Sequence, residues 1–201
     1  CSSDLCIQAS MHTQLPAPSF SVRIWNGTPN EFLIKCAELT RTGVGLPAYY
    51  NDEVIIPALM SRGVTLADAR EYGIIGCVEP QKPFKTDGWH DAAFFNMCRP
   101  LELVFSNGVD KGAQISIKTG NVEDMTTFEE FYNAYKAQET YMIGLMVNAI
   151  NAIDTAHSER VPLPFLSCMV EDCVKEGKTV QEGGAHYNFT GPQGFGIANM
   201  A

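Results

Sequence analysis

The sequence predicts an α/β chain that is mostly helical. Helix-capping signals precede apolar residues at three- and four-residue intervals. The short apolar run Ile74-Ile75 is cut by Gly76 and Pro80, too early for a helix. After Gly177 the chain turns glycine-rich and reads as loop and strand.

Thr28-Pro29-Asn30-Glu31 predicts the first helix, with Thr28 as N-cap, Pro29 at the first helical position and Glu31 closing a capping box. It carries Phe32, Leu33, Cys36 and Leu39 inward and ends near Thr42-Gly43. Asn51 caps a second helix through Val54, Ile55, Ala58 and Leu59, strained by Pro57. Thr65 opens a third that stops at Gly73. Residues 74–77 form an extended arm into a loop, and residues 81–90 read as irregular. Asp91 is expected to start a helix burying Phe94, Phe95, Cys98, Leu101 and Val104, kinked at Pro100 and ended by Gly108. Thr127-Phe128-Glu129-Glu130 is a second capping box. It opens the longest helix, whose stripe Phe128, Phe131, Tyr135, Met142, Leu145, Met146, Ala149 and Ile153 is expected to be core, before Pro162 and Pro164 end it.

The 201 residues are 45% hydrophobic and 18% charged, a core-forming composition. A net charge of −9 opposes nucleic acid, whose phosphates would repel it. No apolar run is long enough to span a bilayer, and no secretory leader is visible. The seven cysteines are scattered without a CxxC pair, which points to reduced thiols in a cytoplasmic setting and to no metal ligand set.

The chemistry concentrates in Gly76-Cys77-Val78-Glu79-Pro80. A cysteine after two isoleucines is commonly a small buried hydrophobe, and a glutamate in a Gly/Pro loop is commonly solvated. Brought into one tight loop, they are a hydrogen-atom carrier and a proton acceptor.

The surroundings of this loop decide between these readings. The run Gly73 to Pro83, then Gly88-Trp89-His90-Asp91-Ala92-Ala93-Phe94-Phe95-Asn96, resembles the active-site segment of glycyl radical enzymes, the pyruvate formate-lyase superfamily. Within it, the run resembles the branch of glycerol and diol dehydratases and choline trimethylamine-lyases. The likeness continues through Pro100-Leu101-Glu102-Leu103, Asn151-Ala152-Ile153-Asp154, Cys168 to Cys173, and Gly183 to Gly194. It implies a fragment from the middle of a ten-stranded α/β barrel, mostly helices plus a finger carrying the cysteine loop. Residues 1–10 are expected to be a non-native or disordered end, and residues 11–201 a partial pyruvate formate-lyase-type domain truncated at both ends. Isolated from the rest of a barrel, such a piece is expected to expose apolar faces.

The resemblance gives Cys77 the thiyl role and Glu79 the base role, with burial tuning the carboxylate for the task. It gives Asp91 and His90 the substrate-binding role, with Asp91 in contact with a substrate hydroxyl. Asp91 also reads as a helix cap, and His90 as a packed supporting residue. A lone Cys77 argues against formate chemistry, which uses two adjacent cysteines. His90 and Phe94 stand where choline lyases carry a hydroxyl and a phenol.

The implied reaction is loss of water from glycerol or propane-1,2-diol. Alternatives are a C–N or C–S lyase acting on choline or isethionate, and a noncatalytic helical module. No Arg-Val-x-Gly-Tyr run is present, since Arg160-Val161 is followed by Pro162-Leu163. The radical glycine is therefore expected outside these residues, installed by a radical S-adenosylmethionine activase. The segment is expected to bind no cofactor, to be inactive alone, and to belong to a homodimer in a cytoplasmic or microcompartment setting.

Overall fold

A computed structural model describes residues 2–76 and 78–200, the side chain of Ser2 excepted. The chain divides into two units, Cys1–Thr86 and Asp87–Ala201.

In the first unit, helix α1 (Ser2–Thr13) places Ile7, 0% exposed, among Val22, Cys36, Leu39 and Leu46. Residues 2–10, expected to be a non-native or disordered end, are helical here, and Ile7 supplies one wall of the core. Strand β1 (Ser21–Ile24) runs to helix α2 (Asn30–Arg41) and then to strand β2 (Ala48–Asn51), which pairs parallel with β1, Val22 opposite Tyr49. Parallel strands need a crossover, and α2 provides it. Its buried side is Cys36 and Leu39, as the spacing predicts, and Gly43 takes φ +82° just past its end. Its start differs. The Thr28 hydroxyl accepts from the Trp25 N–H at 2.9 Å, so it is unavailable as a cap, and the first helical turn closes on the Pro29 carbonyl. Helix α3 (Asp52–Ser61) has the predicted Asn51 cap, which accepts from the Glu53 N–H at 3.0 Å. Helix α4 (Leu66–Arg70) has the predicted Thr65 cap. It ends at Arg70, and Gly73 opens a strand instead of closing the helix. Strands β3 (Gly73–Ile75) and β4 (Glu79–Gln81) form an antiparallel hairpin.

In the second unit, strand β5 (Thr86–Asn96) covers the second half of the stretch expected to be irregular and about the first third of the helix expected from Asp91. Only helix α5 (Cys98–Phe105) forms from that pattern, with Leu103 and Val104 inward; Phe94 is 66% exposed. Strands β6 (Val109–Asp110) and β7 (Ala113–Gln114) make a small hairpin. Helix α6 (Phe128–Arg160) begins on the predicted capping box of Thr127 and Glu130. Buried Gln138 on α6 holds the 116–119 segment, accepting from the Ser116 hydroxyl at 2.5 Å and donating to the Ile117 carbonyl at 2.8 Å. The α6 stripe expected as core is largely exposed: Phe128 is 76% exposed, Leu145 and Ile153 are also open, and the helix buries Ala134, Gln138 and Ile150. This unit packs against part of the helix only.

Short helices α7 (Pro164–Ser167) and α8 (Cys173–Glu176) lead to a small core of Val170, Cys173, Val180 and Ala185. Strand β8 (Tyr187–Phe195) then pairs with β5, and helix α9 (Ile197–Met200) follows. The pairing explains the failed helix. The residues that hold β5 extended lie some hundred positions away, where no local propensity can register them. The α/β class is as the sequence predicts. Among the described residues the strands pair two by two, and no helix is long and apolar enough to cross a membrane.

Candidate active site

The β3–β4 hairpin puts Ile75 opposite Glu79, with Gly76, Cys77 and Val78 between them. So tight a turn needs a residue in the left-handed region, and Gly76 takes φ +58° without a side-chain penalty. Glu79 is 8% exposed, and its carboxylate folds back over the loop, where Oε2 accepts from the Val78 N–H at 2.9 Å. A Cβ on Gly76 would lie 2.8 Å from that Oε2. The missing side chain is therefore what makes room for the carboxylate. Glu79 and Gln81 share one face of β4 by strand alternation, and both are buried. Flanking them, Ile75 and Val78 are exposed, Val78 by 52%. Cys77, the expected hydrogen-atom carrier, lies outside the described residues.

Gly76→Ala is expected to fail on two counts, backbone strain and displacement of the carboxylate. The strain alone costs about 1 kcal/mol. A fall in thermal midpoint together with a larger fall in kcat is the expected result. Unchanged kcat would separate the Gly76 contact from any role of Glu79.

The hairpin is tied at its base. Arg23 of β1 pairs with Asp52 of α3 through two bonds of 2.8 Å, lies 3.9 Å over the Tyr72 ring, and donates to the Tyr72 carbonyl at 3.2 Å. The Tyr72 hydroxyl closes the set on Asp52 at 2.7 Å. The guanidinium holds the Asp52 carboxyl below the usual carboxylate range, and burial first, then Asp52, pushes the Tyr72 phenol up. Beyond the hairpin, Lys82 meets Glu71 at 2.5 Å and Lys85 meets Asp68 at 3.2 Å.

The other two expected site residues, His90 and Asp91, are neighbours on β5. Adjacent strand residues face opposite sides, so His90 and Asp91 are not a pair aimed at one point. His90 folds its ring over Gly88, on its own face. On the other face, the Trp89 ring meets His157 of α6 edge-on at 5.2 Å, and Asp91 accepts from Gln193 Nε2 of β8. Asp91 caps no helix, because the chain is extended there. Gln193 was not singled out from the sequence. Its only signal was its place in the Gly191-Pro192-Gln193-Gly194 run.

Asp87, two residues before Trp89, is held above the ordinary carboxylate range, by burial first and then by the Asp154 charge. A raised folded pKa means that the folded state binds this proton more tightly than the unfolded one. Its contribution is lost as pH rises through the folded pKa. Asp87→Asn is accordingly expected to raise the thermal midpoint at neutral pH, with the gain shrinking as pH falls into the carboxylate range. A gain that does not vary with pH would assign the effect to packing.

Elsewhere, Glu171, Asp172 and His186 bring possible ligand atoms within 4.8 Å of one another. Asp172 already bonds His186 Nδ1 at 2.6 Å and faces Lys175 at 3.7 Å, so the group satisfies itself as an ion cluster. Among the described residues Cys6, Cys36, Cys98, Cys168 and Cys173 are free thiols.

The family described as Pyruvate formate lyase-like matches residues 2–201. A solved structure on 1,2-propanediol dehydration in Roseburia inulinivorans is 67% identical, with a TM-score of 0.90, over 98% of this chain and 25% of that one. The glycerol-bound B12-independent glycerol dehydratase of Clostridium butyricum is 63% identical, also with a TM-score of 0.90, over the same 98% and 25%. Among curated proteins, the (2S)-3-sulfopropanediol dehydratase of Klebsiella oxytoca is 38% identical over 98% of this chain and 24% of its own length. The chain thus spans about a quarter of the relatives it matches.

Proposed function

Since the chain belongs to the pyruvate formate lyase-like family of glycyl radical enzymes, we propose that it is the thiol-loop segment of a dehydratase that removes water from a small 1,2-diol. The observation that carries this is the Glu79 carboxylate, buried and folded over the loop that contains Cys77. The high identity to proteins described as acting on propanediol and glycerol favours a diol over an amine or sulfonate.

In this reading the Cys77 thiyl takes a hydrogen atom from a substrate carbon, re-forming S–H and leaving a carbon radical. Glu79 takes the proton of the hydroxyl on that carbon. The neighbouring C–O bond then breaks, and the leaving hydroxide picks up that proton as water. Cys77 returns a hydrogen atom to the product radical, which leaves as an aldehyde, and the thiyl is regenerated. Asp91 accepts a hydrogen bond from a substrate hydroxyl, and His90 supports β5 from the opposite face. A carboxylate in this role fits a neutral polyol, whose hydroxyls are all donors. The family's glycyl radical, installed by a radical S-adenosylmethionine activase, supplies the hydrogen-atom acceptor that first converts the Cys77 thiol to the thiyl. The loop's form fits that use, since Gly76 leaves the carboxylate and the backbone room to close on each other. The longer protein would complete an α/β barrel, act as a homodimer, and reside in the cytoplasm or a microcompartment.

The test is turnover by the full-length, activated protein on glycerol, propane-1,2-diol, choline and isethionate in parallel. Aldehyde from a diol is expected. Trimethylamine or sulfite as the only product would assign the protein to a C–N or C–S lyase.

A further inference from the structure

We infer that Gln193 is a positioning residue for the Asp91 carboxylate, set in place by the close approach of β8 to β5 at Gly191. The inference rests on the reading of Asp91 as the substrate-hydroxyl contact.

Gln193 Nε2 donates to Asp91 Oδ1. A carboxylate is an acceptor only, with two oxygens. Tying Oδ1 fixes the plane of the group and leaves Oδ2 to accept from another hydroxyl. The donor is neutral, so it sets no positive charge beside the carboxylate, as an arginine or lysine in that place would. Asp91 is exposed in this chain, and ordering its side chain beforehand lowers the cost of binding.

The register that brings Gln193 to Asp91 depends on its neighbour two residues back. A Cβ on Gly191 would lie 2.9 Å from His90 Cα and 3.0 Å from the His90 carbonyl oxygen. Any side chain there would push β8 away from β5 beside the polar pair. On the same face of β5 as Asp91, Trp89 is braced by His157 of α6, which keeps the carboxylate's flank in place.

A simple strand staple would show the same bond, so the test must read substrate binding as well as stability. The probe is propane-1,2-diol, titrated by calorimetry into the full-length, unactivated protein. Gln193→Leu is expected to weaken the diol about tenfold, the scale of one charge-assisted hydrogen bond. Its thermal midpoint should stay at the parent value, and it should weaken binding no further in an Asp91→Ala background, which has no side-chain acceptor left to position. Gln193→Glu keeps the shape and sets two carboxylates together. It is expected to make diol affinity depend on pH, falling as pH rises, and it carries the test if Gln193→Leu does not fold. Equal effects of Gln193→Leu with and without Asp91→Ala, or a lowered midpoint with unchanged affinity, overturn the positioning role alone. Parental affinity in Asp91→Ala overturns the substrate-contact reading, and the inference with it.

Discussion

Cys77→Ser in the full-length protein is expected to abolish turnover, by at least about 10⁴-fold, the scale on which an enzyme loses rate when the group that forms its intermediate is removed. Serine keeps the size and polarity of the loop residue. What it loses is a weak X–H bond. An O–H bond is too strong to give up its hydrogen atom to a carbon-centred radical, so the chain of hydrogen transfers has no way to begin. The variant should still fold, with an unchanged thermal midpoint, and should still acquire the radical signal by electron paramagnetic resonance after activation. Loss of turnover with radical retained locates the defect at residue 77. Turnover within tenfold of the parent would return Cys77 to the status of a packed thiol.

Glu79→Gln is expected to lower kcat by about 10²–10⁴-fold, the usual worth of a positioned general base. The amide oxygen can still accept from the Val78 N–H, so the hairpin should stand. The first hydrogen abstraction needs no base. With a substrate deuterated at the reacting carbon, the variant should therefore wash label out of the substrate faster than it makes product, whereas the parent should make product without accumulating exchanged substrate. A kcat within a few-fold of the parent would remove Glu79 from the reaction.

Local signals carried far in this chain. The caps at Asn51, Thr65 and Thr127 appear where the side chains predict them, because a cap is decided by a hydroxyl or amide and an N–H two or three residues away. The turn at Gly76 was legible for the same reason, although Glu79 and Pro80, read as part of the loop, belong to strand β4. What failed depended on distant partners. Asp91 to Asn96 suits a helix locally, yet its strand partner is Tyr187–Phe195. The stripe on α6 has the right period for burial, but this chain covers only part of the helix. Thr28 was lost to a nearer competitor, the Trp25 N–H. The value of Gln193 could not be read at all, since a glutamine in a glycine-rich run gains meaning only from what lies across from it.

The ties that hold the hairpin differ in kind on its two legs. The incoming leg follows Tyr72, whose ring lies under the Arg23 guanidinium and whose carbonyl accepts from it, while two further bonds fix that guanidinium on Asp52. The outgoing leg is held by two ion pairs, Lys82 with a Glu71 that is 71% open to water and Lys85 with a better-shielded Asp68. Dissolved ions screen the first pair more readily than the second, so raising ionic strength should weaken the Lys82–Glu71 tie before the others.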